Sequence, residues 1–309
     1  MYYKVPLRFQ KEIILHVLKN TQANLLMDGT SSILGIFGPP GEGKTVMCKQ
    51  ILEDLGVHVE IMSVSEFENK DAGKPVERLK EIYSRTTKKL LSSPNERVAL
   101  LIDDADTALG NWGEMTQYTV NTQIIIGELM QIASDIRERK VPIIITGNDF
   151  SKIYYPLRRS GRMTSFYWNP SNEERIDSVK MIFFWLTLED CDKYVKRLEE
   201  YAKRIGLNRP PISFYAAIKN RIFDDDLWEQ IVAERQKSTD VSYVANIIIP
   251  SIHNITVNEI IKKSQQELDN IKNSNNSFVE GSEHNGDFKH IYIHKHKHKN
   301  SHRIYPKSF

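Results

Sequence analysis

The chain has 309 residues, of which 42 are basic and 40 acidic, so its formal net charge is only +2. This balance excludes an overall field that would attract nucleic acid or a membrane surface. The two cysteines are too few for a disulfide framework, which favours a reducing cytoplasm, and no stretch approaches the ~18 apolar residues of a membrane helix. The N-terminus has no signal-peptide core, and the length suits two domains.

Strand-like and helix-like segments alternate from about residue 31 to residue 168. This rhythm predicts an α/β fold, in which helices flank a parallel sheet. Helical periodicity covers residues 75–91 and 118–136. The predicted strands are residues 33–37, 57–62, 98–103, 142–146 and 165–168.

A glycine-rich motif follows the first predicted strand. Residues 38–45 read Gly-Pro-Pro-Gly-Glu-Gly-Lys-Thr, the pattern of a loop that binds nucleoside triphosphates. Lys44 is expected to reach the β and γ phosphates, and the Thr45 hydroxyl is expected to hold Mg²⁺. The predicted nucleotide-binding residues are Gly38, Pro39, Pro40, Gly41, Glu42, Gly43, Lys44, Thr45 and Val46.

The third predicted strand is apolar and ends in carboxylates, the features of a Walker B element. We expect it to rise beside the phosphate loop, where Asp103 would hold Mg²⁺ and Asp104 would polarise the attacking water. An acidic turn without chemistry is the alternative. Most related proteins carry Glu at the second position, so the shorter Asp104 predicts slower hydrolysis. Asn148 follows the next buried strand and either orients the water or forms a turn.

Two arginines, Arg159 and Arg162, flank a turn in the segment 156–163. Guanidinium groups there suit the γ phosphate held by a neighbouring subunit, although a solvated basic loop is the alternative. Together the motifs, in this order, point to the AAA+ class of ATPases. That class predicts ATP and Mg²⁺ as ligands and a homo-oligomer as the active form.

A change of pattern after Asn169-Pro170 predicts a second domain. Residues 171–174, Ser-Asn-Glu-Glu, form a capping-box start, and the segments from there to about residue 240 are helical. The predicted organisation is an AAA+ α/β nucleotide-binding domain at 1–169, a helical lid at 170–255, a C-terminal helix at 256–271 and a disordered His/Lys-rich tail at 272–309. We assign no metal site to the tail.

Beyond these motifs the chain resembles rubisco activase. The resemblance rests on residues 116–121 (Thr-Gln-Tyr-Thr-Val-Asn), residues 141–150 (Val-Pro-Ile-Ile-Ile-Thr-Gly-Asn-Asp-Phe) and residues 161–163 followed by 166–168, and it extends from about residue 7 to 271. It implies a hexameric ring that hydrolyses ATP, remodels rubisco and releases inhibitory sugar phosphates. The expected location is the cytoplasm, or the plastid stroma if the chain is organelle-encoded.

The resemblance implies roles for residues at a central pore. Tyr118 matches the pore tyrosine of the family, although packing at a helix start is the alternative reading of an aromatic there. Residues 65–73 match the first pore loop, so Glu66 and Phe67 are expected to contact the substrate.

The resemblance also implies roles in nucleotide sensing. Arg159 and Arg162 match the paired intersubunit arginines, and Arg221 matches a basic residue of the small-domain helix that senses nucleotide. Lys219 stands where the family has arginine, and Asp103 stands where family members usually have Asn. Lysine keeps the charge at the sensor position and loses the bidentate fork.

Alternatives from other classes remain open. Three alternatives are a remodeller of a different protein target, an AAA+ loader that acts on nucleic acid and a small-molecule phosphotransferase. The near-neutral charge and the lack of a basic stripe count against nucleic acid. A phosphotransferase would need a substrate base and lid arginines of its own.

Overall fold

The computed structural model describes residues 5–63, 73–106, 120–135, 137–237 and 255–274. The predicted pore residues Glu66, Phe67 and Tyr118 lie outside the described residues, as does the tail after residue 274.

Five parallel strands form one sheet in the order β2-β3-β4-β1-β5. The parallel α/β sheet predicted from the sequence is thereby confirmed, and each strand starts and ends within two residues of its prediction. The largest shift is in β5, which begins earlier than expected because an edge strand, paired on one side only, tolerates exposed polar residues such as Thr164. The strands are β1 Ile33–Phe37, β2 His58–Met62, β3 Val98–Ile102, β4 Ile143–Gly147 and β5 Met163–Tyr167.

The order of the strands determines how the acidic residues reach the phosphate loop. Strand β4 lies between β3 and β1, so the strand that carries Asp103 is not adjacent to the strand that leads into the phosphate loop. Because the strands are parallel, β1, β3 and β4 still end at the same edge of the sheet. The residues that follow these strands therefore meet there.

Helices cover both faces of the sheet. Successive side chains of β4 point alternately into two apolar cores, Ile143 and Ile145 into one and Ile144 into the other. The first core includes residues of α3 and α4, and the second includes residues of α1 and α2. These helices are α1 Leu7–Thr21, α2 Lys44–Asp54, α3 Lys74–Ser92 and α4 Val120–Ala133, with short 3₁₀ helices at Ala23–Leu25 and Phe150–Lys152.

After β5, the secondary-structure elements of the described residues are all helices. Helix α5 begins with the predicted capping box, in which Ser171 and Glu174 bond to each other's backbone N–H groups. A third apolar core is built from residues beyond 175. The helices are α5 Asn172–Ile182, α6 Leu188–Arg204, α7 Ile212–Lys237 and α8 Val257–Ser274.

Two details of the predicted organisation concern α8 and the domain limits. Helix α8 ends at Ser274, so residues 272–274 are helical and the prediction that the disordered tail starts at Lys272 was wrong for them. The boundaries at residues 169 and 255 stay predictions. None of the described helices is long and apolar enough to span a membrane.

Candidate functional site

The phosphate loop connects β1 to α2 at the carboxyl edge of the sheet. Gly38, with φ of 151°, has room for no side chain, because a Cβ there would lie 1.8 Å from the carbonyl oxygen of Trp168. In the described part of the chain, the backbone N–H groups of residues 43–45 donate no hydrogen bond. Unpaired N–H groups at the start of a helix suit an anion such as a phosphate.

Lys44 is held inside this loop. Its side chain is buried, and Nζ donates to the carbonyl oxygens of Gly38 and Pro39, both at 2.8 Å, and to Oδ1 of Asn148 at 3.0 Å. Burial lowers the pKa of Lys44, while the carboxylates of Asp106 and Asp104 oppose that change. The ammonium group therefore lies where a triphosphate would enter the loop.

Two hydroxyl groups converge on Asp103. Oδ1 of Asp103 accepts a hydrogen bond from Thr45 Oγ1 at 2.6 Å and another from Thr146 Oγ1. Thr45 and Asp103 supply the hard oxygen ligands that Mg²⁺ prefers. The described residues contain no group of three or more His, Cys, Asp or Glu side chains that would hold a metal.

Asp104 has an unusual backbone. Its φ of 52° makes it the one non-glycine residue with positive φ in the ranges described above. Its N–H donates to Thr146 Oγ1 at 3.2 Å, which helps to hold this conformation. Partial burial, followed by the nearby charges of Asp103 and Asp106, raises the pKa of Asp104. A more basic carboxylate is better suited to accept a proton from water.

Asn148 is held from two sides. Its side chain accepts from Lys44, and its backbone N–H donates to Oδ2 of Asp106 at 2.9 Å. Asp106 is buried and also accepts from the N–H of Asp149 at 2.8 Å. Sequence reasoning missed the roles of Asp106 and Thr146. The signals were a third acidic residue after the strand and a single hydroxyl in an otherwise apolar run.

The predicted arginines lie at the opposite edge of the sheet. The carbonyl oxygen of Arg162 accepts from Ser31 Oγ at 2.5 Å, and Ser31 lies before β1 rather than after it. Strands rise about 3.3 Å per residue, so about 13 Å of β1 separates this edge from the phosphate loop. Neither Arg159 nor Arg162 is bonded to the described residues of the phosphate loop.

The two arginines differ in their contacts. The Arg162 guanidinium donates to the carbonyl oxygen of Pro156 at 2.8 Å and contacts the sulfur of Met130 at 3.5 Å. Arg159 is exposed, and with the described residues its guanidinium makes no hydrogen bond or ion pair. Arg159 is therefore the arginine whose side chain can extend to a second molecule.

The predicted sensor residues lie on the lid, on α7. Lys219 Nζ is 5.5 Å from the centre of the Phe184 ring, and burial lowers its pKa. Arg221 forms an ion pair with Glu267 of α8 at 2.7 Å. In the described residues neither side chain is bonded to the phosphate loop, and their role in sensing stays a prediction.

Other lid residues do contact the loop. The backbone N–H of Ser213 donates to the carbonyl oxygen of Gly41 at 2.9 Å. Arg175 of α5 donates to the side chain of Glu42 at 2.7 Å. Glu42 was predicted as a nucleotide-binding residue; in the structure its side chain is buried against the lid, whereas Val46 is exposed.

Comparison with known proteins places this geometry in a family. Residues 34–171 match the ATPase family associated with various cellular activities (AAA). The chain is 38% identical over 240 residues to a ribulose bisphosphate carboxylase/oxygenase activase from Anabaena sp., covering 73% of this chain and 55% of that protein. The corresponding protein of Nostoc sp. is 36% identical over 237 residues, covering 72% of this chain and 54% of its own length.

A plant relative gives a similar result. The chloroplastic activase of Arabidopsis thaliana is 33% identical over 240 residues, covering 73% of this chain and 48% of that protein. The chain thus spans about half the length of the curated relatives it matches. The matched family region begins in β1 and ends just before α5, so it contains the phosphate loop, Asp103, Asp104, Asn148 and both arginines. Residues 34–171 therefore form an AAA ATPase domain, and the chain is related to rubisco activases at 33–38% identity.

Proposed function

We propose that the chain is an ATP-hydrolysing protein remodeller that works as a homo-oligomeric ring, most simply a hexamer. The observation that carries this proposal is the separation of the site into two parts. Lys44, Thr45 and Asp103 lie at one edge of the sheet, whereas Arg159 extends from the other. A neighbouring copy is needed to bring Arg159 to the nucleotide.

In this proposal each residue of the site has a separate role in ATP hydrolysis. The loop N–H groups and Lys44 bind the phosphates, and Thr45 and Asp103 hold Mg²⁺, which when bound neutralises phosphate charge. Asn148 orients a water molecule, and Asp104 accepts its proton. Arg159 of the adjacent copy stabilises the charge that develops during phosphoryl transfer, with Arg162 holding the turn that carries it.

We propose rubisco as the substrate, from which the chain would release inhibitory sugar phosphates. The support is the identity to proteins named as its activases, which extends over 240 residues and so well beyond the AAA domain. The proposed location is the cytoplasm, or the plastid stroma for an organelle-encoded chain. Another protein is the alternative target. We also propose domain limits at 1–169 and 170–255, with the nucleotide bound between the sheet and the helical lid.

The first test is the dependence of ATPase rate on protein concentration. If copies complete each other's sites, the rate per subunit falls as dilution dissociates the oligomer. A rate per subunit that stays constant down to nanomolar concentration would contradict the trans arrangement.

The second test is reactivation of rubisco. Rubisco inhibited by a sugar phosphate is incubated with the chain and Mg–ATP, and carboxylation is measured. We expect recovery that requires ATP hydrolysis. ATPase activity without recovery of any rubisco form would contradict rubisco as the substrate and leave a different protein target.

A further inference from the structure

Arg175 is a fully buried arginine that no predicted role includes. It is 1% exposed, in the first turns of α5. Its Nη2 donates to Oε1 of Glu42 at 2.7 Å and its Nη1 to the carbonyl oxygen of Pro210 at 2.9 Å, while Nε lies 3.9 Å from Oε1 of Glu199. One guanidinium therefore joins the phosphate loop to α5, to α6 and to the segment that leads into α7.

Adjacent contacts tie the same part of the loop to its surroundings. Ser213, just after Pro210, donates its backbone N–H to the carbonyl oxygen of Gly41. The indole Nε1 of Trp168 donates to the carbonyl oxygen of Glu42 at 2.8 Å. Two consecutive loop residues, Gly41 and Glu42, thus contact the lid or the segment leading to it.

The ion pair between Glu42 and Arg175 is incomplete. Oε2 of Glu42 and Nε of Arg175 are both buried, and neither has a hydrogen-bond partner among the described residues. Guanidinium and carboxylate groups bind best through two parallel hydrogen bonds. The single hydrogen bond between Glu42 and Arg175 therefore leaves one further donor and one further acceptor at the contact between the loop and α5.

We propose that Arg175 is a positioning residue that couples nucleotide binding at the phosphate loop to the position of the helical lid, through Glu42. This proposal rests on the proposed binding of ATP to that loop. In the described residues Lys219 lies over the Phe184 ring and Arg221 pairs with Glu267, so neither of these side chains makes the contact with the loop that Arg175 makes. The competing explanation is that the ion pair only stabilises the fold. A buried ion pair is weak evidence for that explanation, because well-packed apolar residues in its place often stabilise a fold equally.

The test uses the full chain and Mg–ADP as the probe. Its affinity is measured by calorimetry, and hydrogen exchange follows peptides covering residues 38–46 and 205–215. In the wild type we expect Mg–ADP to protect both segments. Arg175→Lys keeps the charge beside Glu42, but an ammonium group lacks the planar fork that bonds Glu42 and Pro210 together. We expect about tenfold weaker binding, within the usual size of coupling between sites, and no protection of 205–215 at saturation.

The matched control is Arg209→Lys. Arg209 bonds to Glu199 at 2.6 Å and to Asn172 at 2.7 Å, within the lid, and makes no bond to the described residues of the phosphate loop. We expect wild-type affinity and protection of both segments. If Arg209→Lys lowers the Mg–ADP affinity and the protection of residues 205–215 as much as Arg175→Lys does, the effect comes from the lid as a whole and the proposal is overturned.

A second variant guards against loss of folding. Glu42→Met with Arg175→Met removes both charges, so neither is left buried alone. If it melts like the wild type yet binds Mg–ADP tenfold more weakly, the pair does more than stabilise the fold. Wild-type affinity and lid protection in either folded variant would overturn the coupling. A wild-type chain that binds no Mg–ADP would instead contradict the proposed function.

Discussion

The two edges of the sheet differ in how far their polar groups are satisfied. At the carboxyl edge, Lys44, Thr45 and Asp103 are each bonded to a neighbour within the same chain. At the amino edge, Arg159 makes no such bond with the described residues. The difference indicates that one edge is organised to receive a ligand from solution, whereas the other presents a cation outward. Each of the following predictions breaks or sharpens this contrast.

The largest effect is expected from Arg159→Ala. We expect a loss of about 10³-fold or more in ATPase rate, because an arginine supplied in trans contributes that much in related chemistry. Mixing this variant with Lys44→Ala should restore part of the activity, since each copy supplies what the other lacks. The measurement is steady-state ATPase of each variant alone and of the mixture.

The neighbouring Arg158 provides the control for Arg159. It is positioned by its own chain, with Nε donating to the carbonyl oxygen of Ile153 at 2.9 Å. Arg158→Ala should therefore lower the rate far less than Arg159→Ala. A mixture of Lys44→Ala and Arg159→Ala that stays inactive would contradict catalysis across an interface.

The next effect concerns Asp104. Asp104→Asn should lower the ATPase rate by about 10²- to 10³-fold, the usual contribution of a general base, with little change in Mg–ADP affinity. Asparagine also tolerates positive φ, so the backbone conformation is kept. A rate within threefold of the wild type would show that Asp104 does not take the proton. Mant-ADP titration checks that the loop still binds.

The third effect is a loss of stability in acid that is caused by His16. Burial lowers the pKa of His16 from 6.5 to about 4, and its Nε2 bonds to the carbonyl oxygen of Ile143, the first residue of β4, at 3.1 Å. The imidazole of His16 takes up a proton near pH 6.5 in the unfolded chain but only near pH 4 in the folded chain. Its contribution to the free energy of unfolding is therefore fully present above pH 6.5, and it falls by about 3 kcal/mol as the pH drops to 4.

Urea unfolding at pH 7 and at pH 4.5 measures this loss for the wild type and for His16→Gln. The variant is expected to lose less stability between the two pH values, because glutamine does not titrate. Equal losses in both proteins would assign the acid sensitivity to other groups.

The smallest effect is expected from Thr146→Val. Valine preserves the shape of the side chain but removes the hydroxyl that bonds to Asp103 and accepts from the N–H of Asp104. Loss of these bonds should lower the ATPase rate about tenfold, equivalent to about 1.4 kcal/mol, and raise the Mg²⁺ concentration needed for half-maximal rate. Thr146→Ser keeps the hydroxyl and should restore most of the rate. Equal rates for the two variants would contradict a role for the hydroxyl.

The sheet was predictable because its signals are local. An apolar run such as residues 98–102 has few alternatives to a buried strand, and the motif at residues 38–45 needs a strand before it and a helix after it. The order of the strands, by contrast, could not be predicted from local signals. It depends on which runs pair across the whole chain, and nothing near Asp103 in the sequence indicates that β4 separates its strand from β1.

The residues of the site also differ in whether local sequence predicts them. Lys44 and Thr45 were predictable from the glycine-rich motif, and Asp103 and Asn148 from their places just after apolar strands; the structure brings the four side chains together. Arg175 was not predictable as a contact of the loop, because it lies 133 residues from Glu42 along the chain and looks like an ordinary charged residue at a helix start. Only folding of the lid against the loop places it there, buried beside a carboxylate.

The hydrogen bond from the Trp168 indole to the phosphate loop has a practical consequence. Trp168 is fully buried, and its ring lies 4.9 Å from that of Phe9 and 4.4 Å from the guanidinium carbon of Arg8. The chain contains four tryptophans, so we expect a variant that keeps only Trp168, with the other three replaced by phenylalanine, to report occupancy of the loop through its indole emission. The reporter is the same residue whose backbone oxygen requires glycine at position 38.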